Sequence, residues 1–240
     1  MWRSLRFWLH FGALMPVAVP QALHTRRTAL RLPEAEGPQQ GTFAGEGEPW
    51  RLVVIGESTV AGVGVKQQAD GLAAAVARAF AARTGRPVHW RAHGRNGARI
   101  RDVRRDLLPD DLHHADLVLV SIGVNDTTGF SSPRQWREQL RHLVADIRRQ
   151  TQAPITFLAL PPMHHFTALP QPLRGVIGHR AVLMDHHLRR ALAGLPGCRV
   201  LDYGLEMHPR YLAADGYHPS AEGYAVMGET VARLLAASRD

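Results

Sequence analysis

Four short motifs bring together the residue types that acyl transfer requires: GESTVAGVG at 56–64, GRNGARI at 94–100, IGVNDT at 122–127 and DGYHPSAEGY at 215–224. A serine hydroxyl is a weak nucleophile and needs a base to take its proton as it attacks. Ser58 supplies the hydroxyl and His218 the base, with Asp215 three residues earlier to fix the imidazole tautomer. Gly97 and Asn125 offer a backbone N–H and a side-chain amide that, beside the N–H of Ser58, would meet the negative charge of a tetrahedral intermediate. Each has a plainer reading when taken alone. Ser58 would serve as a helix N-cap, Asp215-Gly216 as a turn beside a surface histidine, Gly97 as a turn glycine and Asn125 as an Asx-turn. The order of the four, each near the end of an apolar run, favours the joint chemical reading.

Rival motifs fail on inspection. The glycines around Ser58 suggest a phosphate loop, but the only lysine, Lys66, is followed by Gln67 and not by the required Ser or Thr, and GxGxxG is broken at the same Gln67. No GxSxG elbow occurs. Histidine pairs stand at 113–114, 164–165 and 186–187, yet adjacent side chains diverge and neither HExxH nor a Cys/His framework is present. Neither a metal nor an organic cofactor is expected. The single Cys198 excludes an internal disulfide and reads as a small buried hydrophobe.

The elements that must position these residues follow from periodicity. Strands are expected at 51–56, 88–93, 116–123, 155–160 and 198–202, and helices at 69–83, 98–108, 133–150, 175–194 and 220–238. Five strands alternating with helices imply a parallel sheet covered on both faces, whose ligands bind beyond the carboxyl ends of the strands. Ser58, Asn125 and Asp215 all follow strands and so share that rim.

The net charge of +8 suggests nucleic acid until it is located. Arg3, Arg6, Arg26, Arg27 and Arg31 carry five of the eight charges, and residues 1–31 hold no acid. The rest of the chain lacks a clustered basic face beyond Arg99, Arg101, Arg104 and Arg105, which read as a solvated helix surface, so no nucleic-acid partner is expected. Residues 1–32 form a separate apolar and basic segment. Its apolar run is broken by Arg6, His10, Pro16, Pro20 and Gln21, which argues against a spanning helix, and the small-x-small site of a cleaved signal is poor. An interfacial anchor through residues 2–31, with Trp2, Phe7, Trp8 and Phe11 at headgroup depth, is the expectation; packing of this segment on the domain of a cytoplasmic protein is the alternative. Residues 33–49, rich in Pro, Gly and Glu, read as a linker to a domain at 50–240.

Over about residues 51–237 the four blocks resemble the SGNH (GDSL-type) hydrolases, whose blocks carry Ser, Gly, Asn and His in this order. The resemblance implies a flavodoxin-like three-layer α/β/α sandwich with a five-stranded parallel sheet. It also implies Ser58 as nucleophile, Asp215 and His218 as triad partners, and Ser58, Gly97 and Asn125 as the oxyanion hole. One departure stands out: the GDS signature reads Gly56-Glu57-Ser58, with an acid one methylene longer. The family's activities imply a small-molecule acyl ester substrate, with lipids among the candidates. Met163, Phe166 and Leu169, in the long segment 161–174, would line an acyl pocket or else anchor the loop. Two rival functions remain: an acyltransferase or deacetylase acting on a sugar or lipid, and a membrane-tethered binding module without turnover.

Overall fold

A computed structural model of the chain describes residues 2–204 and 208–237, with side chains except those of residues 2–6 and 8–10. Strands β1 (Gln40–Phe43), β2 (Trp50–Gly56), β3 (Val88–Gly94), β4 (Leu117–Ser121), β5 (Ile155–Leu158) and β6 (Cys198–Leu201) form one sheet in the order β1-β3-β2-β4-β5-β6. β2 to β6 pair in parallel throughout and β1 pairs antiparallel with β3. The parallel part has the flavodoxin-like order, in which the chain switches direction of winding at β2.

Period-two alternation divides the core into two faces. Leu52, Val54, Trp90 and Leu119 pack with helices α2 (Leu72–Thr84) and α7 (Ala221–Ala236). Val53, Ile55, Val118 and Val120 pack on the other side with α5 (Pro133–Arg148) and α6 (Leu173–Leu192). The expected three-layer α/β/α sandwich is therefore the observed fold. Two short helices lie at the rim: α3 (Ile100–Asp102), continued by a π-helical stretch Val103–Leu107, and α4 (Val124–Thr128).

The sheet corrects the expected strand number, six in place of five. The extra strand, β1, lies inside 33–49, which is therefore not a free linker. Backbone pairing needs no apolar side chain, so this Gly- and Glu-rich stretch can add an edge strand: its residues alternate between exposed and half-buried. Neighbouring residues also lie along the domain, with Glu36 bonded to Lys66 and Gln68, and Ala35 to Ala61.

The N-terminal segment is one helix, α1 (Trp2–Thr28), that runs through Pro16 and Pro20. Phe7 and Ala18 are buried with Met163, Phe166, Leu173, Val176 and Ile177 of the 161–174 segment and α6. Gln21 clasps the start of α6, donating to the Gln171 carbonyl at 2.7 Å and accepting from the Leu173 N–H at 3.1 Å. The prolines are tolerated because tertiary packing replaces what the missing hydrogen bonds would contribute. Among the described residues no helix is long and apolar enough to cross a membrane. The side chains of Trp2 and Trp8 lie outside those described, as does residue 238 at the end of the last expected helix.

Candidate active site

Ser58 follows β2 by two residues, and the same rim is reached by Gly97 from the loop after β3, Asn125 from α4 after β4 and His218 from the segment after β6. All four line one cavity of about 670 Å³ at the carboxyl edge of the sheet. Ser58 is buried, only 6% exposed. Two contacts hold its loop against the histidine turn. Tyr224 of α7 donates its hydroxyl to the Val63 carbonyl at 2.7 Å, fully buried. Gly64 has φ +106°, and a Cβ there would collide with the Pro219 carbonyl, so only glycine lets the two loops approach this closely.

His218 Nδ1 lies 2.6 Å from Asp215 Oδ2, while Asp215 Oδ1 accepts from the N–H groups of Tyr217 (3.0 Å) and His218 (3.1 Å). Burial by itself would raise the Asp215 carboxyl; the bonds from His218 and the two N–H groups outweigh it and leave the acid below its ordinary range. An ionised Asp215 thus fixes Nδ1 of the imidazole as the bonded nitrogen and leaves Nε2 for the cavity. Ser220 caps α7 just beyond, accepting from the Gly223 N–H at 3.2 Å. Replacing Ser220 by alanine is expected to cost about 1 kcal/mol, read as a fall of roughly 2–4 °C in Tm by calorimetry.

The oxyanion candidates show a telling pattern. Among the described residues, neither the backbone N–H of Ser58 nor that of Gly97 donates to any protein acceptor. The Asn125 amide is already engaged, donating to Glu57 Oε2 (2.6 Å) and to the Ala98 carbonyl (3.2 Å), which occupies both its N–H groups. Asp126, next in the chain, ties α4 to the Gly97 loop by accepting from the Ile100 N–H at 2.9 Å. No hydrogen bond joins Ser58 to His218 among the described residues, although both face the cavity; such contacts often tighten only when substrate is bound.

Glu57 is the residue whose part the sequence reading missed. Its carboxyl is buried and accepts from the N–H groups that open α4, those of Val124 (2.8 Å) and Asn125 (3.0 Å), as well as from the Asn125 side chain. These are the donors a helix start leaves unpaired. The one carboxyl thus satisfies two of them and the Asn125 side-chain amide as well. Burial pushes Glu57 up to about 7, against the opposing pull of these hydrogen bonds. The sign of the consequence follows from proton counting. Between about pH 4.5 and about 7 the folded state keeps a proton that the unfolded chain has lost, so stability from this group falls as pH rises across that window, by on the order of 3 kcal/mol. Melting temperatures of wild type and Glu57→Gln at pH 5 and pH 8 check this: the variant should show the flatter dependence, and equal slopes would refute the assignment.

The cavity wall includes Met163, Phe166 and Leu169, all buried, so the expected acyl-pocket residues do face the serine's cavity while also anchoring their loop against α1. Tyr203, Met227 and, from α1, Leu23 and Arg26 also line it. These last were not legible, because nothing local in α1 signals which loop it will cover.

A buried serine, a histidine hydrogen-bonded to an aspartate and two unpaired backbone N–H groups thus line one cavity at the carboxyl edge of a flavodoxin-like sheet, with no GxSxG elbow in the sequence. The model of the GDSL-like Lipase/Acylhydrolase family matches residues 54–226, and the chain belongs to that family. It is a carboxylic ester hydrolase. A GDSL-like esterase of Mycobacterium tuberculosis is 27% identical over 242 residues, covering 92% of this chain and 76% of its own. Two solved structures share the fold. A lipase, Lip_vut3, from a goat rumen metagenome has TM-score 0.62 at 17% identity, covering 76% of this chain and 95% of its own. TesA has TM-score 0.59 at 21% identity, covering 77% and 97%.

Proposed function

We propose that the chain is a serine esterase that hydrolyses acyl esters through an acyl-Ser58 intermediate. The observation that carries this reading is the pair of unpaired N–H groups, those of Ser58 and Gly97, on the wall shared by the Ser58 hydroxyl and the Asp215-bonded His218. Ser58 Oγ attacks the ester carbonyl as its proton passes to His218 Nε2, and Asp215 stabilises the imidazolium that forms. The two N–H groups receive the oxyanion; Asn125 joins them by releasing the longer of its two bonds, that to Ala98. His218 then returns the proton to the departing alcohol, and water repeats the sequence to free the acid. Met163, Phe166 and Leu169 hold the apolar part of the substrate. A fluorophosphonate should add once, on Ser58, by peptide mass spectrometry; an unlabelled Ser58 would instead favour a binding module without turnover. Product analysis with competing alcohols separates hydrolysis from acyl transfer.

A second reading concerns where the enzyme works. Met15, Val17, Val19 and Leu23, four of the seven large apolar side chains exposed among the described residues, lie on α1. A membrane surface would cover them. Flotation of the full chain with anionic liposomes tests this, and a protein that stays at the bottom of the gradient ends the idea.

A further inference from the structure

Part of the cavity wall comes from outside the residues that the family model matches. Helix α1 precedes the matched residues 54–226, yet Leu23 and Arg26 lie in the wall that also holds Ser58. The wall contains two arginines, Arg26 and Arg99, both exposed and therefore at the mouth. Its one acidic residue, Glu57, is buried and turned to the start of α4.

Arg91, Arg95, Arg104 and Arg105 are each paired with an aspartate, whereas neither Arg26 nor Arg99 makes an ion pair among the described residues. Arg27 and Arg101, beside them in sequence, likewise make no ion pair among the described residues, and the charge of Arg99 is felt by the buried Asp126. Arg99 is nevertheless placed. Its guanidinium lies against Gly129 of the cavity wall, so closely that a Cβ at 129 would collide with it. An unpaired, positioned guanidinium presents a planar set of donors suited to carboxylate, sulfate or phosphate oxygens. Deeper in, Met163, Phe166, Leu173 and Ile177 make the wall apolar.

We propose that this cavity selects anionic amphiphiles: esters in which an apolar chain is joined to a group bearing negative charge, the chain lying along the apolar wall and the anion meeting Arg26 and Arg99. The proposal rests on the esterase reading above for the word ester, but the binding itself does not require turnover. Charge at a cavity mouth acts through the low-dielectric walls around it and weakens with salt.

Calorimetric titration of the full chain with octyl phosphate, octanol and inorganic phosphate, below micelle-forming concentrations, tests the binding. Octyl phosphate should bind at least about tenfold tighter than either of the others, with the advantage shrinking as salt rises. The Arg26→Glu/Arg99→Glu double variant should abolish that preference, and Arg26→Lys/Arg99→Lys should keep much of it. In parallel, the ratio of kcat/KM for 3-carboxy-4-nitrophenyl octanoate over 4-nitrophenyl octanoate should exceed about five in wild type and fall to about one or below in the glutamate variant. Equal binding of octyl phosphate and octanol, or a preference that survives charge reversal, overturns the proposal. Selective binding with no hydrolysis of either ester leaves the anion site standing and removes the esterase reading beneath it.

Discussion

Substituting alanine for Ser58 or for His218 is expected to lower turnover of p-nitrophenyl acetate by about 10⁴- to 10⁶-fold, with the double variant scarcely worse than either single one. The two residues act on one proton, so removing either disables the same step and the losses do not add. Asp215→Asn should fall in the same range, because an amide can hold the imidazole in the wrong tautomer where the carboxylate accepts from Nδ1 at 2.6 Å. In acid the rate should drop, because below about pH 7 Glu57 takes up a proton. A protonated Glu57 turns one of its acceptor oxygens into a donor facing the start of α4, which disturbs the segment that carries Asn125. A wild-type rate in Ser58→Ala would end the assignment.

Asn125→Ala is expected to reduce kcat by about 10²- to 10³-fold while KM moves little, the mark of a donor used mainly in the transition state. The fold should tolerate the change. Glu57 keeps its two backbone partners, the N–H groups of Val124 and residue 125, and the Ala98 carbonyl loses only its 3.2 Å bond. Asn125→Asp should be worse on both counts, since it sets a second carboxylate against Glu57 in place of the 2.6 Å hydrogen bond. A kcat unchanged in Asn125→Ala would show that the Ser58 and Gly97 N–H groups suffice.

The five parallel strands and the four long helices α2, α5, α6 and α7 were legible because their apolar periods are long enough to be distinctive, and the bounds of β2 and α5 differ from the expected ones by no more than two residues; the helix expected at 98–108 is instead the short α3 with its π-helical continuation. What escaped has physical reasons. β1 is four residues, QGTF, held by backbone pairing that leaves little trace in side-chain pattern. The placement of α1 could not be read because its apolar residues encircle it: Phe7 and Ala18 are buried while Met15, Val19 and Leu23 are exposed, so no single face announces itself. The candidate site was more legible than the fold around it, since four spaced motifs carried it. Glu57 was visible only as a departure from a signature. Its three donors come from residues 67 and 68 positions further along the chain, a proximity no local pattern encodes.

The part of the cavity wall made by α1 has an evolutionary consequence. The proposed catalytic residues follow strands of the sheet that the family model matches, whereas Leu23 and Arg26 sit on a helix that precedes the matched residues. Exchanging side chains along that helix would retune which molecules are admitted without disturbing the atoms that cut them, so diversification of diet and preservation of chemistry can proceed on separate parts of one chain.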